Sequence, residues 1–257
     1  MNILFTICGR AGSKGLKNKN LKIFLGFPLP FYTISVIDLF IKKYTKYECD
    51  IVLNTDSIEL INLFEDKINM NIEIIRRIPE LSEDSTPKVN VIRNCYSVVK
   101  DRLSKEYDII VDLDITSPLR TLGDLENLID KKINSDYDVI YSVTNSRRNP
   151  YFNMVMKTEN GYERVIKSNF NTRQEAPEIF DMNASLYAYS PRFLNGDRGI
   201  FESKCDVIKM KDTAVLDIDS EEDFELMQVI AENLFNKDDR FNCVAKNIDK
   251  ILNDSCY

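Results

Sequence analysis

Short apolar runs alternate with amphipathic stretches through the first half of the chain, and that alternation restricts the fold more than any other feature. Ile3–Cys8, Ile51–Asn54, Ile72–Ile75, Tyr107–Leu113, Asp138–Val143 and Ala184–Tyr189 read as strands. Several are continuously apolar rather than alternating, the pattern of a sheet covered on both faces. Between the first two, Pro28-Leu29-Pro30 precedes Phe31, Ile34, Val36, Ile37, Phe40 and Ile41 at helical spacing. Ser57 to Ile68 reads as a second helix with Ile58, Ile61, Leu63 and Phe64 facing inward, and Pro87 starts a third carrying Val91, Cys95, Val98 and Val99. The expectation is a three-layer α/β domain.

The pattern changes after Ser146. Arg147-Arg148-Asn149-Pro150 breaks the periodicity, Phe152–Met156 alternates, and Glu159-Asn160-Gly161 reads as a turn. Residues of about 147–181 are therefore expected to form a β-rich excursion, a lid, an arm or an oligomer contact. The main sheet resumes at Ala184, and Glu221 to Leu234 forms a last helix with Phe224, Met227, Ile230 and Ala231 on one side. This gives a main domain over 1–235 and a polar C-terminal tail over 236–257.

Composition narrows the chemistry. The chain has no histidine, which excludes imidazole as base, relay or metal ligand. Its six cysteines are scattered without metal-like spacing. A net charge of -7 argues against nucleic acid, which needs an extended basic face. No apolar stretch is long enough to span a bilayer and no signal peptide is evident, so a cytoplasmic location without membrane attachment is expected.

Against this acidic background, Arg10-Ala11-Gly12-Ser13-Lys14-Gly15-Leu16-Lys17-Asn18-Lys19-Asn20 is a local knot of positive charge directly after the first strand. Loops at the carboxyl ends of strands are where open α/β sheets take ligands, and glycines let backbone amides approach a phosphate. A merely solvated basic loop is the alternative. Asp217-Ile218-Asp219-Ser220 precedes the last helix, and two carboxylates two residues apart on extended backbone share a face, as Mg²⁺ ligands do. Helix capping by Asp219 or Ser220 would account for one acid, not both. Asp112–Arg120 lies at another strand end, where it could read a base or sugar or simply form a turn with Thr116 or Ser117 as cap and Arg120 at the surface. Asn54-Thr55-Asp56 repeats that situation more weakly, with Asp56 or Ser57 as a cap.

Taken together, Arg10-x-x-Ser13-Lys14-Gly15-Leu16-x-x-Lys19-Asn20, Arg77-Ile78-Pro79-Glu80-Leu81 with Asp84, Thr116-Ser117-Pro118-Leu119-Arg120 and Asp217-x-Asp219 resemble the acylneuraminate cytidylyltransferase family, which makes CMP-sialic acid and related CMP-nonulosonates. The resemblance spans most of residues 1–235. It implies a Rossmann-like nucleotidyltransferase fold with a mostly parallel sheet, dimerisation through the excursion, and transfer of CMP from CTP with release of pyrophosphate. It places Arg10, Ser13, Lys14 and Lys19 around the CTP phosphates, Asn20 in support of the loop, and Arg77, Leu81 and Asp84 on the nucleotide side. Mg²⁺ falls to Asp217 and Asp219; Arg10, Lys14 and Asp217 carry the catalysis. The sugar side falls to Asp114, Thr116, Ser117, Arg173, Gln174 and Asn183, the Arg173-Gln174 pair reaching a partner's pocket.

Two departures from the family pattern concern the sugar. Members acting on ordinary sialic acid carry Gln-Pro-Thr-Ser-Pro where this chain has Asp114-Ile115-Thr116-Ser117-Pro118, and an ionised aspartate only accepts where an amide also donates. The segment before the last core strand is also altered, to Asp181-Met182-Asn183-Ala184-Ser185. Both point to a modified bacterial nonulosonate such as legionaminic acid. Two other readings stand beside this one: a cytidylyltransferase for the eight-carbon sugar acid of lipopolysaccharide, and a non-catalytic nucleotide-binding or scaffold protein.

Overall fold

The computed structural model describes residues 1–12, 15–83 and 85–252. In chain order the elements are β1 (Asn2–Cys8), the small hairpin β2 (Ile23–Phe24) and β3 (Phe27–Pro28), α1 (Leu29–Lys43), β4 (Glu48–Thr55), α2 (Ile58–Lys67), β5 (Glu73–Arg76), α3 (Lys88–Leu103) and β6 (Ile109–Leu113). There follow α4 (Leu122–Ile133), β7 (Val139–Asn145), β8 (Val155–Thr158), β9 (Gly161–Arg164), β10 (Phe180–Tyr189), α5 (Pro191–Leu194), β11 (Cys205–Lys209), α6 (Glu221–Lys237) and α7 (Asp239–Ile251).

Seven strands form one sheet in the order β11-β7-β10-β6-β1-β4-β5. β1 runs parallel to β4 and β6, β4 to β5, and β7 to β11, whereas β10 is antiparallel to both its neighbours. The result is the expected three-layer α/β fold with a mostly parallel sheet. β1 shows why its sequence is almost continuously apolar. Ile3, Phe5 and Ile7 enter the core beneath α1, α2, α4, α6 and α7, while Leu4 faces the second core with α3 and α5. Chain reversal on either side of β1, toward β4 one way and β6 the other, opens a crevice at the carboxyl ends of these strands.

The structure departs from the sequence reading in four places. Residues 239–251 form α7 where a polar tail was expected. Phe241, Val244, Ile248 and Ile251 are spaced by three or four residues and all buried, so a single stripe docks an otherwise polar helix. The Ser35 hydroxyl donates to the Val244 carbonyl (2.6 Å) and the Asn247 amide to Asp38 (2.7 Å), tying α7 to α1. Residues 253–257 of the expected tail lie outside the described residues. In α2, Ile58 points to solvent and Leu60 joins Ile61 and Phe64 in the core, because the helical period puts those three on one face and Ile58 off it. β11, a partly buried edge strand, has no distinct apolar run and was not expected. β10 begins at Phe180, earlier than the apolar run, with its register interrupted between Met182 and Tyr187 and Ala184 at φ 51°. The excursion over 147–181 holds one antiparallel hairpin, β8 with β9, amid irregular chain.

Candidate active site

The basic loop leaves β1 at Cys8, and its backbone is fastened from two sides. Asp56 accepts from the Ala11 amide (2.7 Å), and the Asn20 side chain donates to the Arg10 carbonyl (3.1 Å). Ser57, not Asp56, caps α2 by accepting from Leu60 N–H (3.2 Å), which leaves the Asp56 carboxylate for the loop. Across the crevice, Ser220 and Asp223 form the capping box of α6. Asp217 and Asp219 are therefore not spent on capping.

The loop and the acidic segment meet. A Cβ on Gly15 would stand 2.2 Å from the Asp219 carbonyl oxygen, so the two backbones touch there, and Lys19 Nζ lies 3.1 Å from Asp219 Oδ1. That pair is open to solvent on the Asp219 side, whose side chain is 78% exposed, and is weak by itself. A cleft of about 400 Å³ at this junction is lined by Arg10, Gly15, Lys19, Asn20, Arg77, Leu81, Lys88, Asp114, Thr116 and Asp219 among others. Arg77 is fixed in it by two bonds to Asn54, from Nε to Oδ1 (2.7 Å) and from a terminal nitrogen to the carbonyl (3.1 Å).

The floor of the cleft is an ionic network. Lys88 Nζ, on the first residue of α3, lies 2.8 Å from Asp112 Oδ2 and 2.6 Å from Asp114 Oδ2. Burial opposes the ammonium charge, but the two carboxylates outweigh it and hold Lys88 well above its ordinary value. For Asp114, burial would raise the carboxyl, and Lys88 and Thr116 outweigh that to hold it below the usual carboxylate range. The Thr116 hydroxyl then lies 2.8 Å from Asp114 Oδ1 and 2.7 Å from Asp217 Oδ1. Asp217 is shifted the opposite way: burial first, and then the charge of Asp114, raise it above the ordinary value against the pull of Thr116 and Lys19.

Of the residues picked out in the sequence, Arg10, Lys19, Asn20, Arg77, Leu81, Asp114, Thr116 and Asp219 line this one cleft, and Asp217 adjoins it through Thr116. Ser13, Lys14 and Asp84 lie outside the described residues. Ser117 is buried behind the cleft, its hydroxyl 3.4 Å from the Asn183 carbonyl. Asn183 is buried too, its amide oxygen accepting from Ser142 (2.6 Å) and its nitrogen facing the Met210 sulfur (3.3 Å). Arg173 and Gln174 line a separate cavity of about 520 Å³ with Asn145, Ser146, Asn149 and Glu178, and Arg173 donates to the Ser146 carbonyl. Arg120 is not a surface residue. Its guanidinium is buried and donates to the Asp114, Ser117 and Ser185 carbonyls, bracing the turn, while burial lowers it to about 10, still charged at neutral pH. Thr121 with Asp124, rather than Thr116 or Ser117, caps α4. Lys88 escaped sequence reasoning, because nothing local to Pro87-Lys88 signals its partners 24 and 26 residues on.

An open α/β sheet with a cationic loop and an acidic segment joined at its carboxyl edge defines a nucleotidyltransferase of the Rossmann-like kind. The chain belongs to the Cytidylyltransferase family, whose pattern matches residues 4–246. It is 32% identical over 242 residues to the post-translational flagellin modification protein B of Campylobacter coli, with 92% of this chain and 98% of that protein covered. It is 32% identical over 238 residues to the CMP-N,N'-diacetyllegionaminic acid synthase of Campylobacter jejuni, with the same shares covered. Among solved structures, CMP:2-keto-3-deoxy-manno-octonic acid synthetase complexed with CTP superposes with a TM-score of 0.61 at 13% identity, covering 91% of this chain and 99% of that one. That likeness is one of fold. Among the described residues no helix is long and apolar enough to cross a membrane.

Proposed function

We propose that this protein transfers CMP from CTP to the anomeric 2-hydroxyl of a nine-carbon 2-keto sugar acid of the legionaminic or sialic type, releasing pyrophosphate. The observation that carries this reading is the contact of Gly15 and Lys19 with Asp219, which gives phosphate-binding cations and a carboxylate segment one shared cleft. Family membership supports cytidylyl transfer, and the legionaminic acid synthase relative supports the nine-carbon acceptor.

In this mechanism Arg10, Lys14 and Lys19, with Ser13, surround the triphosphate and offset charge as the pentavalent phosphorus forms. Asn20 supports the loop. Arg77, Leu81 and Asp84 line the nucleotide side. The sugar hydroxyl attacks the α-phosphorus in line with the departing pyrophosphate. Its proton goes to whichever of Asp217 and Asp219 does not hold the metal, in a chain without histidine. Asp217 and Asp219 also fit Mg²⁺, which takes one or two carboxylates and completes its shell with substrate phosphates. Among the described residues no group of three or more acidic or cysteine side chains is placed to hold a metal ion. When bound, Mg²⁺ would offset the charge of the phosphate oxygens.

Asp114 lines the cleft as a carboxylate neutralised by Lys88, which supports an acceptor different from that read by a glutamine at this place. We assign the excursion over 147–181 to dimer formation. Its exposed Val155 and Tyr162 share one face of the hairpin, and Arg173 and Gln174, which line a cavity separate from the cleft, would serve a partner's sugar site. Purified protein with Mg²⁺, CTP and a panel of legionaminic, sialic and eight-carbon sugar acids, repeated with UTP, tests the reaction. Pyrophosphate release with CTP and a nine-carbon acid is expected. Preference for the eight-carbon acid, or saturable CTP binding without release for every acid, would replace this reading with one of its rivals.

A further inference from the structure

We propose that Thr116 and Lys88 are positioning residues for Asp217: Lys88 satisfies Asp114, and this leaves the one hydroxyl proton of Thr116 to hold the Asp217 carboxylate beside the cleft. The inference rests on the cytidylyl-transfer reading above and reassigns Thr116 from sugar contact to alignment of the acidic segment.

The geometry sets a competition. Thr116 Oγ1 stands between two carboxylate oxygens, 2.8 Å from Asp114 Oδ1 and 2.7 Å from Asp217 Oδ1. A hydroxyl carries a single proton, so it donates to one of them and presents lone pairs to the other. Asp114 has other donors: Lys88 Nζ on Oδ2 at 2.6 Å, and the Thr116 backbone N–H on Oδ1 at 2.9 Å. Lys88 is itself anchored by the buried Asp112 at 2.8 Å, whose other oxygen accepts from the Thr6 hydroxyl of β1 at 2.8 Å. Among the described residues Asp217 Oδ1 has one other hydrogen-bond donor, the Ile218 N–H at 2.9 Å, against an ammonium and an amide on Asp114, so the Thr116 proton points to Asp217. Without Lys88, Asp114 would draw that proton back and Thr116 would face Asp217 with lone pairs. The relay links the start of α3, the end of β6 and the segment before α6, and it crosses 101 residues of sequence between Thr116 and Asp217.

The test is Mn²⁺ binding in the presence of CTP, followed by electron paramagnetic resonance, on Thr116→Val, Thr116→Ser, Lys88→Met and the Lys88→Met/Asp114→Asn double variant. Loss of a residue that orients a metal ligand costs about tenfold or more in metal affinity. Thr116→Val and Lys88→Met are each expected to weaken Mn²⁺ by that factor, Thr116→Ser to restore it, and the double variant to recover because an amide no longer competes for the proton as a carboxylate does. In turnover, Thr116→Val raises half-saturating Mg²⁺ while KM for the sugar acid stays unchanged. A Thr116→Val protein with wild-type Mn²⁺ binding and a raised sugar KM would assign Thr116 to the sugar and overturn the proposal. So would a serine variant that fails to restore binding, a double variant that does not recover, or a wild type that binds no Mn²⁺. Should Lys88→Met lose its cooperative melt, the valine and serine pair decides. Mn²⁺ titration needs no turnover, so a wild type that binds the ion yet transfers nothing refutes the reaction alone.

Discussion

Gly15 has no room for a methyl group, since a Cβ would lie 2.2 Å from the Asp219 carbonyl, a backbone atom that cannot swing away. Gly15→Ala is therefore expected to push the basic loop off the acidic segment and lower pyrophosphate release at least about tenfold, the effect of misplacing a binding group by roughly an ångström. Its melting temperature should stay near wild type, because the contact lies at the rim of the fold; unchanged turnover would separate the two segments functionally. Asp217 shows the opposite balance between function and stability. A carboxylate whose folded pKa is raised binds protons more tightly folded than unfolded, so ionising it at neutral pH destabilises the native state. Asp217→Asn keeps the acceptor for Thr116 and removes that charge. The variant should unfold at a higher urea concentration than wild type at pH 7, the difference closing as pH falls through the raised folded value and vanishing below the ordinary carboxylate value of about 4, where both unfolded and folded wild type are protonated. Activity should be lost at the same time. A variant less stable than wild type at pH 7 would show that Asp217 is not strained by its surroundings.

At the level of elements, α7 completes the core on the α1 face although its composition is mostly polar. Its four buried apolar side chains each contribute about 1.5–3 kcal/mol, a sum comparable with the whole stability of a domain. Ile248→Ala is expected to cost about 2–5 kcal/mol in urea unfolding, whereas Lys246→Ala on the exposed side of the same helix should stay within about 0.5 kcal/mol. Equal, negligible effects would mean that the helix is a dispensable appendage. The caps at the cleft have a related logic. Ser57, Thr121 with Asp124, and Ser220 with Asp223 each satisfy a helix N-terminus, which leaves Asp56, Asp114, Asp217 and Asp219, all close by in sequence, for the loop and the cleft.

For the whole molecule, the dimer assignment predicts that Tyr162, 73% exposed on the β8–β9 hairpin, is covered in solution by a second copy. Tyr162→Glu should shift sedimentation from dimer to monomer and raise KM for the sugar acid while leaving that for CTP nearly unchanged; a wild type that is monomeric across its working concentrations rejects the assignment. The layered α/β fold was legible because strands buried on both faces must read as apolar runs, as β1 and β6 do, and the basic loop was legible because its charge stands out in an acidic chain. The acidic pair was legible because one helix cap cannot employ both Asp217 and Asp219. The docking of α7 was hidden by four apolar positions diluted among polar ones, and β11 by its half-exposed edge. Local pattern thus determined the elements and nominated the charged segments, since periodicity and charge are properties of neighbouring residues. Only the tertiary structure decided that Lys88 supports Asp114, that Arg120 is buried, and that Gly15 touches Asp219, because those contacts join residues brought together by strand order, to which no local sequence pattern refers.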